Sequence, residues 1–302
     1  MPSLICPVCT SALIQTENLK SFQCEHKHLF DSAKQGYTNL LLSHQKKSKH
    51  PGDTSEMVIA RKEFLNLSHY EKILNAFTSL VHKHILVKHS PIKHNPAKNC
   101  SPEKSFAYTD LGCGEGYYTE HVHQSLAKNH ALDNKCIIET CGIDISTPAI
   151  KAACKRDKSI LWLVASASNA PIASASQDLV SCLFFRFDAS EAARILKEDA
   201  ILISANTGPA HLIELREHLY DEVKIEKSAT LEIHEQRLEH IASEHVKHQI
   251  ELHSQTEIEQ LLTMTPHYWR AKPEKKSALT KLEYLKVSLD IRFDVYRRTN
   301  IL

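Results

Sequence analysis

A chain of 302 residues and 34.2 kDa, 42% hydrophobic and 24% charged, is long enough to bury a core and too apolar to be disordered throughout. Its net charge of +1 does not announce a nucleic-acid binder. No apolar run approaches the roughly 20 residues of a membrane helix, and the first residues lack the pattern of an export signal, so no membrane partner and a cytoplasmic location are expected.

Residues 1–36 read as a compact unit. Cys6-Pro-Val-Cys9 forms a tight turn, and Phe22–Cys24 and Leu29–Phe30 form short strands around a second turn. Residues 43–56 have almost no apolar content and read as an exposed loop. From Met57 to Leu86 apolar positions recur at helical spacing and predict two helices broken near Ser68. Residues 88–105, with three prolines and no periodicity, read as an inserted surface loop.

From Phe106 the text alternates. Strands are expected at Phe106–Leu111, Cys136–Ile143, Leu161–Val164, Leu179–Phe184 and Ala200–Ala205. Helices are expected at Tyr117–Lys128, Thr147–Arg156, Glu191–Leu196 and His211–Tyr220. This βαβ rhythm predicts an α/β fold with a doubly wound, mostly parallel sheet over residues 37–302. Charge is unevenly spread. Residues 270–298 hold nine Lys and Arg against four Asp and Glu, whereas residues 214–260 hold five against twelve. A solvated face explains most such runs, and a phosphate-binding surface is the sharper alternative for the basic one.

Nine cysteines scattered along the chain are no disulfide framework, and six of them read as buried small hydrophobes. Cys6, Cys9, Cys24 and His28 differ. The pattern Cys-x2-Cys, fourteen residues, Cys-x3-His puts two pairs of soft ligands on two turns, as tetrahedral Zn²⁺ requires. Four protein ligands leave no open position, so the zinc would be structural. His26 is the competing fourth ligand, with His28 preferred.

The second constellation is Asp110-Leu-Gly112-Cys-Gly114-Glu-Gly116, after a strand and opening a helix. Its glycines permit a tight turn and a close backbone approach to a ligand. The spacing is not the dinucleotide fingerprint G-x-G-x-x-G. Asp144 closes the next strand, where a carboxylate can accept from two ribose hydroxyls. The two motifs favour S-adenosylmethionine over a nicotinamide dinucleotide. Asp144 or Ser146 as a helix cap is the plainer reading of that end.

With these motifs the sequence resembles the bacterial 23S ribosomal RNA (guanine-N1)-methyltransferases. The resemblance rests also on Phe30-Asp31 through Leu40, Pro51-Gly-Asp53-Thr-Ser-Glu-Met57, Ala60-Arg61, Phe64-Leu65, Ser68-His-Tyr70, Thr207-Gly-Pro209-Ala-His-Leu212 and Met264-Thr-Pro266-His-Tyr-Trp269-Arg-Ala. It implies a zinc-binding N-terminal domain, a Rossmann-like catalytic domain that takes S-adenosylmethionine, and methylation of guanine N1 in a hairpin loop of 23S ribosomal RNA. It also implies that Tyr70, Tyr118, Thr119 and His211 contact the cofactor, whereas the residues alone favour Tyr70 as core of its helix and His211 as a cap of the helix after Pro209. A homodimer is left open. A small-molecule methyltransferase and a non-catalytic zinc-dependent RNA-binding protein are the rival readings.

The chain departs from the pattern in three places. Loop 88–105 is longer, Phe184-Phe-Arg186-Phe-Asp188 replaces a stretch with proline and cysteine, and Lys197-Glu-Asp-Ala200 replaces a glycine-rich turn. Asp188 could assist at the guanine, but Asp188-x-x-Glu191 reads first as a capping box, and no catalytic base is named. Tyr268, Trp269 and Arg270 could supply stacking and phosphate contacts to the RNA, with core packing an equal reading for the two aromatics.

Overall fold

Two sheets organise the chain in the computed structural model, which describes residues 2–46, 48, 51–89, 105–128, 136–223 and 237–299. The first is antiparallel, with strands β1 (Leu4–Ile5), β2 (Ala12–Gln15), β3 (Ser21–Cys24) and β4 (Leu29–Asp31) in that order. The chain then enters the large sheet at its edge with β5 (Tyr37–Asn39). Helices α1 (Ser55–Asn66) and α2 (Glu71–His89) follow, with Ser68 between them in a left-handed conformation at φ 63°. Thr54 caps α1 by accepting from the Met57 N–H.

The alternating part comprises β6 (Ser105–Leu111), α3 (Tyr117–Ala127), β7 (Ile137–Asp144), α4 (Thr147–Ala153), β8 (Leu161–Val164), β9 (Gln177–Leu183), α5 (Ala189–Ile195), β10 (Leu196–Thr207) and α6 (Ile213–Leu219). The chain ends in β11 (Leu238–Leu252), α7 (Gln255–Thr263), α8 (His267–Arg270), α9 (Pro273–Leu279) and β12 (Leu285–Arg298). The strand order is β11-β12-β10-β9-β6-β7-β8-β5. Strands β5 to β10 run parallel, and β12 and β11 are added antiparallel. The winding reverses at β6, with β7 on one side and β9 on the other. That places a crevice beyond the carboxyl end of β6, where ligands bind in open α/β sheets.

Burial follows from the layers. From Phe106 to Leu111 every residue of β6 is buried, because both sheet faces are covered. One face packs Phe106, Tyr108 and Phe293 against Phe77 of α2, Val122 of α3, Leu215 of α6 and Leu261 of α7. The other packs Leu111, Ile143 and Val180 against Ala192 of α5 and against Leu4, Leu13 and Phe22 of the small sheet. The small sheet is also hydrogen-bonded to the large unit. Leu4 pairs with Ile172, the Ile5 N–H donates to Pro171 O at 3.0 Å, and the Ala173 N–H to Ser3 O at 2.8 Å. No helix among the described residues is long and apolar enough to cross a membrane.

Three expectations change. The stretch 43–56 is not all exposed loop. It contains a 3-10 turn at Ser43–Gln45, and Ser146 Oγ donates to Asp53 O at 2.7 Å. A Cβ on Gly52 would stand 2.8 Å from Ser146 Cβ, so this polar stretch is held by hydrogen bonds and close packing rather than by apolar burial. The helix expected from His211 begins at Ile213, because Leu212 is left-handed at φ 51°. The acidic and basic segments meet as the β11–β12 ribbon, which the sequence did not reveal because β11 carries polar residues on both faces. Much of the basic segment is committed within the fold. Lys272 and Lys275 pair with Asp221, Arg292 with Asp294, and Arg298 donates to Leu196 O. The inserted loop read at 88–105 lies, from residue 90 to 104, outside the described residues.

Candidate metal centre and cofactor pocket

Two turns of the small sheet converge on one point. The Thr10 N–H donates to Cys6 O and the Lys27 N–H to Cys24 O, with Thr10 and Lys27 left-handed at φ 62° and 63°. Cys6, Cys9, Cys24 and His28 bring one ligand atom each within 4.8 Å of one another. Cys9 Sγ lies 3.7 Å from Cys24 Sγ, and His28 Nδ1 lies 3.5 Å from Cys6 Sγ and 3.3 Å from Cys24 Sγ. Tetrahedral zinc with Zn–S near 2.3 Å and Zn–N near 2.0 Å separates its ligands by roughly 3.5–3.8 Å, so the donor set fits the ion. A hydrogen bond from Ser11 pulls the Cys9 thiol down to about 5, toward the thiolate that binds metal. His26 stands outside this group, exposed, with its Nδ1 3.3 Å from Ser11 Oγ.

The glycine turn sits beyond the carboxyl end of β6. The N–H groups of Gly112 and Cys113 both donate to Ile143 O, at 2.8 and 3.0 Å, which ties the turn to β7. Gly112, Gly114 and Gly116 are all left-handed, yet their surroundings differ. A Cβ on Gly112 would lie 2.6 Å from the Phe185 ring, and one on Gly116 2.7 Å from Trp162. At Gly114 the nearest atom is Arg61 Nη1 at 3.6 Å. Gly112 and Gly116 let the turn pack, and Gly114 keeps a cradle open for a ligand.

The acidic residues are bound into this turn. Asp110 is buried and accepts from Thr119 Oγ1 at 2.5 Å and Ser181 Oγ at 2.6 Å. Burial pushes its carboxyl up to about 7, against the pull of those two hydroxyls. Asp144 accepts from the Gly114 N–H at 3.0 Å and the Ser146 N–H at 2.7 Å, and burial raises its carboxyl as well. Ser146, not Asp144, caps α4 through the Ala149 N–H. Asp110 and Thr119 thus meet each other behind the turn, whereas Asp144 stands at its rim.

Tyr118 follows the turn with a buried hydroxyl that has no hydrogen-bond partner among the described residues. A buried phenol calls for a partner, and a polar ligand in the crevice supplies one. This orphan hydroxyl and the cradle at Gly114 are compatible with S-adenosylmethionine, which carries polar groups for the one and needs close backbone approach at the other. Tyr70 is buried edge-on to Phe64, and its desolvated phenol is held protonated. His211 lies past the end of β10. Burial lowers its imidazole to about 4, so it is neutral, and the Asp290 N–H donates to Nδ1 at 3.3 Å. That contact leaves the proton on Nε2. Asp290 itself accepts from the Ala210 N–H at 3.1 Å and keeps one buried oxygen without a partner among the described residues.

Arg61 and Asp53 carried no assigned role in the sequence. Arg61 projects from α1 and donates to Asp53 Oδ2 at 2.5 Å and to Met264 O at 3.2 Å. Burial opposes its charge, and Asp53, Glu115 and Asp144 sustain it. Both residues lie within stretches that carried the family resemblance, but no spacing rule linked them to Gly114. At the end of β9, Phe184 is exposed at φ 62°, with its ring 5.7 Å from that of Tyr118. Asp188 caps α5 by accepting from the Ser190 and Glu191 N–H groups, while Glu191 accepts from the Ala170 N–H and pairs with Arg194.

Sheet order, reversal point, glycine turn and orphaned tyrosine define a Rossmann-like S-adenosylmethionine-dependent methyltransferase with an N-terminal zinc ribbon. Residues 4–49 match the family described as RlmA, N-terminal, and residues 109–204 match the methyltransferase domain. The resemblance to the 23S ribosomal RNA (guanine-N1)-methyltransferases is borne out. The chain is 27% identical over 290 residues to YxjB of Bacillus subtilis (strain 168), provisionally named a 23S rRNA (guanine-N(1)-)-methyltransferase, covering 95% of this chain and 94% of that one. A protein of Micromonospora griseorubida with the same provisional name is 26% identical over 306 residues, 98% of each chain. The 23S rRNA (guanine(748)-N(1))-methyltransferase of Streptomyces fradiae is 25% identical over 213 residues, 70% of this chain and 66% of that one.

Proposed function

We propose that this protein transfers a methyl group from S-adenosylmethionine to N1 of a guanine in a hairpin loop of 23S ribosomal RNA. The observation that carries the reading is a four-ligand zinc ribbon packed on the same unit that carries an open glycine turn, in a chain similar over nearly its whole length to proteins named for that reaction. In this reading residues 1–36 form the zinc domain and 37–302 the catalytic domain. Cys6, Cys9, Cys24 and His28 hold zinc. Tyr70, Asp110, Gly112, Gly114, Gly116, Tyr118, Thr119, Asp144 and His211 form the cofactor site, with Arg61 added.

Bound S-adenosylmethionine supplies an electrophilic methyl group on sulfur. The protein aligns acceptor and methyl and excludes water. Asp110 and Thr119 hold the turn in shape from behind. Asp144 accepts from the ribose hydroxyls, and Arg61 offers its remaining N–H groups to the methionine carboxylate. Neutral His211 donates from Nε2 and does not compete as a cation. Guanine N1 bears a proton, so the reaction needs an acceptor for it, and the target base must leave its stack to enter the crevice.

Methylation at N1 removes a Watson–Crick donor, so reverse transcriptase stops one nucleotide before the modified base. Primer extension on 23S ribosomal RNA from cells with and without the gene should show a stop that depends on the gene. A stop that survives deletion, or no stop in the wild type, overturns the guanine-N1 assignment. Transfer of label from S-adenosylmethionine to ribosomal RNA, rather than to a small molecule, separates this reading from its main rival. The reading also places the protein in the cytoplasm with its RNA. Sedimentation distinguishes monomer from homodimer.

A further inference from the structure

The structure separates the three residues Tyr268, Trp269 and Arg270. Tyr268 packs against the core, and Lys276 both sits 4.5 Å over its ring and donates to its carbonyl at 3.1 Å. Trp269 is 58% exposed. Its indole N–H donates to Met57 Sδ at 3.2 Å, and its ring meets Tyr268 edge to face at 5.1 Å. The indole is therefore held through its N–H and by the adjacent tyrosine ring, and keeps open surface.

Its location gives that surface a use. Met57 and Arg61 lie four residues apart on one side of α1. Arg61 reaches the open cradle at Gly114 and also binds Met264 O, at the start of the segment that carries Trp269. The indole is thus anchored on the turn of α1 that precedes the one carrying Arg61, whose guanidinium borders the pocket. Arg270, next in sequence, is exposed as well. A rigid aromatic surface beside a cation suits a base and its phosphate, because every nucleobase has a π-face and stacking tolerates any sequence.

We propose that Trp269 is a stacking platform for an unpaired nucleobase of the RNA substrate at the mouth of the cofactor pocket. This rests on the RNA-methyltransferase reading above. The platform positions the strand around the reacting guanine and takes no part in the chemistry.

The chain has two tryptophans, and the other, Trp162, is 1% exposed with its N–H bonded to Asp157 O at 2.8 Å. A change in indole emission on RNA binding therefore reports Trp269. The probe is a short stem–loop oligoribonucleotide with a guanine-containing loop, compared with the same stem and an abasic loop. The intact loop should quench emission saturably, and the abasic loop should not. Trp269→Ala should weaken oligonucleotide binding at least about fivefold and raise KM for ribosomal RNA with little change in kcat. Trp269→Phe should restore most of the loss. The affinity of both variants for S-adenosylhomocysteine should be that of the wild type, which also verifies their folding. Equal quenching by the abasic loop, or wild-type RNA affinity in Trp269→Ala, overturns the proposal. The underlying reading fails by a different result: wild-type protein that transfers no label to any ribosomal RNA.

Discussion

At the metal centre three thiols and one imidazole converge from two turns, at distances suited to ligands of one ion. Around the glycine turn the arrangement is reversed. Its buried acids are engaged by hydroxyls and backbone N–H groups, and what remains open is the space beside Gly114. The first site depends on the side chains it possesses and the second on one it lacks. A loss of side chain should therefore destroy the first, and a gain of side chain should destroy the second.

The largest expected effect tests the first half. Structural zinc in small domains supplies about 10–16 kcal/mol of binding energy that is also folding energy. Cys9→Ala should lose the metal and, with it, amide protection over β1 to β4, as read by metal analysis and hydrogen exchange. A metal-free protein with an ordered ribbon breaks the comparison.

Within the glycine turn the comparison sharpens to neighbouring positions. Gly116→Val drives a side chain into Trp162 and should lower the melting temperature severely, since overpacking alone costs about 1–3 kcal/mol before left-handed strain is added. Gly114→Val carries the same left-handed strain but meets only Arg61, so it should cost less stability than Gly116→Val while its larger effect falls on the cofactor. Calorimetry with S-adenosylhomocysteine should find no binding in a protein that still unfolds cooperatively. If Gly114→Val binds normally, the pocket lies elsewhere.

Arg61→Ala should reduce affinity for S-adenosylhomocysteine by about 1.5–3 kcal/mol, the size of hydrogen bonds to a charged group. Methylthioadenosine, which has no carboxylate, should bind the variant and the wild type alike. Equal losses for the two ligands would make Arg61 a scaffold for α1 and nothing more.

The smallest effect concerns His211. Its imidazole lies near 4 when folded, below the ordinary 6.5, so the unfolded chain takes up more protons between those values. Stability therefore rises with pH across that window and falls as the pH drops from 6.5 toward 4. His211→Gln should remove roughly 0.8 kcal/mol of the stability difference between pH 7.5 and pH 6 in urea unfolding. An unchanged difference would mean that the imidazole is not desolvated.

The same contrast explains what was legible in the sequence. Metal ligands announce themselves by residue type and spacing, so Cys6, Cys9, Cys24 and His28 could be picked out as a group before any fold. The parallel core was legible because β6 to β10 are buried on both faces and their intervening helices have regular spacing. Arg61 and Asp53 were silent, since their meeting depends on how α1 lies over the turn rather than on any local pattern. The β11–β12 ribbon was silent for another reason. Alternation of apolar and polar residues is the signal of a half-buried strand, and on the inner face of β11 Glu244 and His248 take positions among Val246, Ile250 and Leu252 that would otherwise carry it.

That ribbon bears on what pairing along the sheet edge would cost. Strand β11 is fifteen residues long and ends the sheet among the described residues, and an edge of that length is of the kind that seeds polymerisation. Its exposed positions are Glu239, His240, Ser243, His245, Lys247, Gln249 and Glu251, with no apolar residue among them. A second β11 laid against this edge would have to strip water from charges of both signs for each backbone hydrogen bond it gained. The segment that looked like a mere excess of acid in the sequence thus makes strand-to-strand pairing along β11 costly.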